Sequence, residues 1–163
     1  MEIYPKILGF TPFSMKSFNI NLPINTINPL IVTRGIDQTN ISSEFTERSN
    51  TTVIRNYGNL LIDLCKNVPD GIVVFFPSYR YMEEVVLQWN QMGIIEIFQK
   101  YKLLWMETRN LEDTSVALTN YRAACDVSRG SVFLSVARGK VAEGIDFHGH
   151  YGRAVVIIGI PFL

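Results

Sequence analysis

Short runs of β-branched and aromatic residues alternate along this chain with longer segments whose apolar residues recur at helical spacing. That alternation constrains the fold more than any other feature. Ile72 to Phe76, Val132 to Val136 and Val155 to Ile160 are continuous apolar runs, as expected of buried strands. Leu103 to Met106 reads as a further strand, and Leu30-Ile31-Val32 as a short strand-like run that stops at Thr33-Arg34-Gly35. Between the runs, Val53, Ile54, Tyr57, Leu60, Leu61, Leu64, Cys65 and Val68 form one apolar helical stripe. Asn50 or Thr51 opens it and Pro69-Asp70-Gly71 closes it. Met82, Val85, Val86 and Trp89 mark a second helix that ends near Gly93. Thr114 to Ala124 marks another, with Val116, Ala117, Tyr121 and Ala124 inward. Strand and helix in this order predict an α/β fold with right-handed crossovers and a mainly parallel sheet between helices. Residues 1–28 are rich in Asn, Pro and Thr and read as an irregular lead-in with one strand around Phe18 to Leu22. The α/β pattern occupies residues 29–163.

Composition narrows the function classes. With 47% apolar and 18% charged residues in 163, the chain has material for one core and is no disordered segment. Fifteen Lys plus Arg balance fifteen Asp plus Glu, so nucleic-acid binding requires a local patch and not the whole surface. Cys65 and Cys125 lie far apart among apolar neighbours, which fits buried thiols better than a disulfide or a metal site. No run approaches the ~20 apolar residues of a membrane span, and the start lacks the grammar of a signal peptide, so no membrane partner is expected. The sequons at Asn40 and Asn50 are then chemically idle. Leu163 follows closely on the last strand, and a piece of a longer protein is expected.

Ligands of an open parallel sheet bind beyond the carboxyl ends of its strands, and two such places carry chemistry. After Phe76, Pro77-Ser78-Tyr79-Arg80 leads into a helix. Ser78 is either a plain N-cap or the edge of an anion site, and Tyr79 is a stacking face or a surface tyrosine. After Val136, Ala137-Arg138-Gly139-Lys140-Val141-Ala142-Glu143-Gly144-Ile145-Asp146-Phe147 combines cations, carboxylates and glycines between two core strands. That composition suits a charged ligand: glycines admit close approach, cations meet phosphate, and a carboxylate meets sugar hydroxyls or water. His148-Gly149-His150 reads as surface histidines, and no metal site is expected. Gly139-Lys140 is not a Walker A, since Leu134 stands at its first glycine and Val141 at its Ser or Thr. No Asp-Glu pair follows a strand, and there is no nucleophile elbow, Gly-x-Gly-x-x-Gly or Cys-x-x-Cys.

Ser135 to Asp146, Ser-Val-Ala-Arg-Gly-Lys-Val-Ala-Glu-Gly-Ile-Asp, followed by Phe147, resembles motif V of the XPD group of superfamily 2 DNA helicases. His150-Tyr151-Gly152-Arg153-Ala154-Val155 and Gly159-Ile160-Pro161-Phe162 resemble the sequence that follows it in that group, and Gly71 to Tyr79 is similar to the group's motif IV. Ile3 to Leu8, Arg34-Gly35-x-Asp37-Gln38, Ile41-Ser42-Ser43-x-Phe45 and Arg55 to Leu60 match in register, so the resemblance covers nearly the whole chain.

The resemblance implies most of a second RecA-like motor lobe, a three-layer sandwich, in a 5′-to-3′ helicase driven by ATP with Mg²⁺. Single-stranded DNA, the first lobe of the same chain and other TFIIH subunits are the implied partners. Nucleotide excision repair and transcription initiation in the nucleus are the implied setting. Carried over, Glu143, Gly144 and Asp146 face ATP, and Ser78, Tyr79, Ser135 and Arg138 face DNA. The group's Walker A, Asp-Glu motif and iron–sulfur cluster belong upstream, and motif VI with its catalytic arginine belongs past Leu163. No catalytic residue is therefore expected here, and the piece alone is expected to be inactive. Two other readings are a non-enzymatic RecA-like docking lobe and a stand-alone phosphate-ester enzyme using the 138–146 loop; the latter lacks a nucleophile.

Overall fold

A computed structural model describes residues 3–14, 16 and 27–159, with the backbone alone at Ile3, Tyr4, Lys140 and Glu143. Contacts divide the chain into residues 1–31 and residues 32–163. The first unit contains helix α1 (Ile3–Leu8), which ends at Gly9 in the left-handed region, φ 66°. The strand expected around Phe18 to Leu22 lies outside the described residues.

The second unit is built on a four-stranded parallel sheet in the order β2-β3-β1-β4. Helix α2 (Thr51–Asn67) begins where Asn50 accepts the amide of Thr52, and leads through Pro69-Asp70 into β1 (Gly71–Phe76). Asp70 takes a left-handed φ of 54°, which turns the chain sharply into the strand. Helices α3 (Tyr79–Gln91) and α4 (Ile94–Tyr101) follow, separated by left-handed Gly93. Then come β2 (Leu103–Met106), α5 (Leu111–Asp126), β3 (Ser131–Val136), the short α6 (Lys140–Gly144) and β4 (Ala154–Ile157).

The alternation of side chains on β1 and β3 divides the core between two faces. Ile72, Val74, Phe76, Val132, Leu134 and Val136 pack with α2, α3 and α4, where Trp89 and Phe98 are fully buried. Val73 and Phe133 pack on the other face with Leu118, Tyr121 and Cys125 of α5 and Val141 of α6. The sheet is thus the middle of three layers, which fulfils the α/β expectation. Cys65 and Cys125 are free thiols in the two different layers, and burial pushes each up to about 11. Iodoacetamide at mildly alkaline pH should therefore leave both unlabelled in the folded chain and label both in denaturant. Fast labelling of either without denaturant would contradict this packing.

Several expectations need correction. Leu30-Ile31-Val32 forms no strand and is exposed; Thr33 to Ile41 instead closes a tight loop with one antiparallel bridge, Arg34 to Asn40. Its Asp37 accepts from the buried Asn56 amide of α2 at 3.0 Å, and a side chain at Gly35 would collide with Asn56. On α5, Tyr121 and Ala124 are buried and Ala117 packs on the core as expected, but Val116 points to solvent at 61% exposure, and Thr114, Leu118 and Cys125 complete the inward stripe. Thr114 tolerates burial because its hydroxyl proton has the carbonyls of Thr108 and Asn110 within reach, at 3.0 and 2.8 Å, while its oxygen accepts the Thr108 amide at 3.0 Å. The last strand is an edge and not a covered one: Val155 and Ile157 are 57% and 61% exposed, while Ala154 and Val156 face the core.

Candidate nucleotide and nucleic-acid interface

Three strand ends meet at the carboxyl rim of the sheet. β1 and β3 are adjacent and in register from Gly71–Ser131 to Phe76–Val136, and the Ala137 amide donates onward to the Phe76 carbonyl at 2.8 Å. The loops holding Ser78-Tyr79 and Arg138 therefore leave the sheet side by side, as expected of ligand loops in parallel α/β folds. β2 ends on the far side of β3, where the Glu107 amide donates to the Leu134 carbonyl at 2.8 Å.

Ser78 caps α3, its Oγ accepting the Tyr81 amide at 3.3 Å, and is half-buried. Tyr79 is half-buried beside it, with the Arg109 guanidinium 6.0 Å above its ring. Arg80, Arg109 and Arg138 are exposed cations in the segments that follow β1, β2 and β3. Arg138 occupies a turn closed by the Gly139 amide donating to the Val136 carbonyl at 2.8 Å. Its φ of 64° places a non-glycine residue in the left-handed region, where backbone strain concentrates at functional sites. The turn aims the guanidinium away from the core.

α6 follows at once, anchored by buried Val141, and the chain emerges at Gly144 and Asp146. Space around Gly144 is open to 4 Å, and the Asp146 side chain is 86% exposed, with His148 Nδ1 3.8 Å from its Oδ2. An open glycine beside an exposed carboxylate leaves room for a ligand and offers acceptors for its hydroxyl groups. The backbone of Glu143 lies in the last turn of α6, immediately before Gly144. Arg138 and Asp146 thus stand at opposite ends of one short segment, one cationic and one anionic.

Ser135 stands apart from the other candidates. It is fully buried on β3 and gives its hydroxyl proton to Glu107 Oε2 at 2.6 Å. Glu107 is itself fully buried and also accepts the Tyr79 hydroxyl at 2.5 Å. The sequence reading missed this carboxylate. A lone acidic residue directly after an apolar strand, at the ligand-facing rim, was the available signal.

His150 and Tyr151 both bond Asp126 Oδ1 at the end of α5, at 2.9 and 2.8 Å, and these bonds hold the Asp126 carboxyl below its usual range. Those contacts pin the turn before β4. At the opposite rim, buried Lys102 donates to the Asp70 carbonyl at 2.8 Å, and burial lowers its ammonium's affinity for the proton. No three of His, Cys, Asp and Glu come together as a metal cage among the described residues.

A parallel sheet between helices, with charged loops beyond its strands, is the α/β architecture expected of a RecA-like lobe. The helicase C-terminal domain model matches residues 61–163, and the chain belongs to that family. It is similar to helicase subunits XPD of the general transcription and DNA repair factor IIH. The Schizosaccharomyces pombe protein is 51% identical over 99% of this chain, and the Arabidopsis thaliana protein 49% identical over the same share. A regulator of telomere elongation helicase 1 homologue from Anopheles gambiae is 36% identical over 81% of the chain. A solved XPD helicase structure matches 78% of the chain, and 20% of its own length, with a TM-score of 0.50 at 24% identity, a likeness of fold. The chain spans 21% of the length of the two XPD relatives and 14% of the telomere-helicase relative.

Proposed function

We propose that this chain is the greater part of the second motor lobe of an ATP-dependent 5′-to-3′ DNA helicase of the XPD type, working within TFIIH in repair and transcription initiation in the nucleus. The observation that carries the reading is the segment after β3, which leaves the carboxyl rim at exposed Arg138 and runs through α6 to exposed Asp146, inside the region matched by the helicase family model. Gly144 and Asp146, with Glu143 alongside, meet the ribose and phosphate edge of ATP. Arg138, Ser78 and Tyr79 meet the backbone of single-stranded DNA, and Ser135 supports them from beneath. The first lobe of the same protein supplies the phosphate cradle and Mg²⁺, since this chain has no Walker A sequence. ATP brings the phosphoryl bond whose cleavage drives the motor. This lobe's own groups orient the nucleotide edge and grip the strand.

Because one segment touches both ligands, a nucleotide-dependent shift at Asp146 is carried to Arg138, and that is the coupling step of a motor. The piece alone lacks half of the ATP site and hydrolyses nothing. The iron–sulfur cluster and further TFIIH contacts belong to the remainder of the protein.

The test is ATP hydrolysis by the intact helicase containing this lobe, titrated with single-stranded DNA. Asp146→Ala should lower DNA-saturated turnover about tenfold or more, the scale of a lost charge-assisted hydrogen bond. Arg138→Glu should raise the half-saturating DNA concentration by at least about the same factor. Wild-type turnover in Asp146→Ala would remove Asp146 from the nucleotide. A folded wild type that binds a protein partner but shows no DNA-dependent turnover would instead make the lobe a docking surface.

A further inference from the structure

Glu107 is the one fully buried carboxylate among the described residues, and it is approached by donors from two separate elements, the start of α3 and the end of β3. Oε1 accepts the hydroxyl of Tyr79 at 2.5 Å, from the turn after β1. Oε2 accepts the hydroxyl of Ser135 at 2.6 Å and the amide of Val136 at 3.2 Å, from the end of β3. The hydroxyl bonds have the short lengths of O–H donors on a carboxylate. Glu107 is in turn fixed by its own amide on the Leu134 carbonyl. Gly139, at the foot of the Arg138 turn, packs so closely that an added Cβ would lie 2.8 Å from Oε1.

One buried group therefore touches the Tyr79 turn, the Ser135 strand end and the Arg138 turn. A hydroxyl has a single proton, and both Tyr79 and Ser135 spend theirs inward. Outward donation at this rim falls to the arginines and to backbone amides.

We propose that Glu107 is a positioning residue that yokes the two rim loops, so that the Tyr79 turn and the Arg138 turn meet single-stranded DNA as one unit. This rests on the reading of the rim as the DNA interface. Breaking either hydroxyl bond releases the yoke, and breaking the second releases nothing more. Independent loops would instead lose affinity by separate factors that multiply.

The experiment measures the DNA concentration that half-saturates ATP hydrolysis by the intact helicase, for wild type, Tyr79→Phe, Ser135→Ala and the double variant. Melting first confirms that each is folded at the assay temperature. Each single change should raise the half-saturating concentration about threefold to tenfold, and the double change by the same factor and not the product. DNA-saturated turnover should change less, which a general loss of stability would not spare. Where the double variant fails to fold, Glu107→Gln replaces it: the amide keeps the volume but loses charge assistance to both hydroxyls, and should show the same factor. Multiplying factors, or an unchanged half-saturation in Glu107→Gln, would overturn the yoke while leaving a DNA-dependent motor. A wild type with no DNA dependence would overturn the helicase reading itself, a separate failure.

Discussion

Trp89→Ala should unfold this lobe or leave it barely stable, and urea denaturation of the wild type and variant chains measures the loss directly. The indole is fully buried in the layer of α2, α3 and α4, and its Nε1 donates to the Ile54 carbonyl of α2 at 2.8 Å. Its ring meets Phe76 of β1 and Phe98 of α4 edge-on, at centroid distances of 6.3 and 5.4 Å. Gly58 makes room for it, since a side chain there would lie 2.9 Å from Nε1. One residue thus joins three helices to the sheet. Truncating a buried Trp costs about 3–5 kcal/mol, and the indole's hydrogen bond to α2 is lost with it. Domains of this size are stable by only about 5–15 kcal/mol. A variant that melts within a few degrees of wild type would show that the layer repacks around the void.

The second large effect is expected at Gly139. Its φ of −71° is open to any residue, so the objection to a side chain is space and charge, not backbone conformation. A Cβ would sit 2.8 Å from both the Val136 carbonyl oxygen and Glu107 Oε1. Gly139→Asp adds a second carboxylate against a buried one that already holds three donors. Burying an unpaired charge in this way should cost about 3 kcal/mol or more, or force the Arg138 turn out of place. Calorimetry separates the two: a lowered melting temperature with an intact core, or near-native melting with the turn displaced and DNA affinity lost. Native stability together with native affinity would show that Glu107 yields easily, contrary to its tight bonding.

How legible these features were depended on whether a residue's neighbours in sequence were also its neighbours in space. β1, β3 and α2 were plain because their apolar residues are contiguous or evenly spaced, and Asn50 and Pro69-Asp70-Gly71 mark the ends of α2. Helix α4 was missed: its eight residues begin without a side-chain cap, directly after Gly93, which also ends α3. The inward face of α5 was read correctly at Ala117, Tyr121 and Ala124 but not at Val116, because Thr114 satisfies its hydroxyl locally and takes a buried place that periodicity assigns to an aliphatic residue. The sidedness of β4 depends on strand order, which no local pattern records. At the rim, the loop after β3 announced itself by charge and glycine content, and the one after β1 by Ser78 standing where a buried strand gives way to a helix. Glu107 did not, because its meaning comes from Tyr79 and Ser135, both 28 positions away.

Helix α6 has five residues, about 7.5 Å of axis at the usual rise, and of its described side chains only Val141 is buried. The chain is tied down again just beyond it, where Ile145 packs on the core and the Phe147 ring meets Tyr121 and Phe133 at centroid distances of 5.9 and 6.2 Å. Asp146 is therefore carried like a plank between two piers, exposed to solvent yet fixed in place by the residues on either side of it.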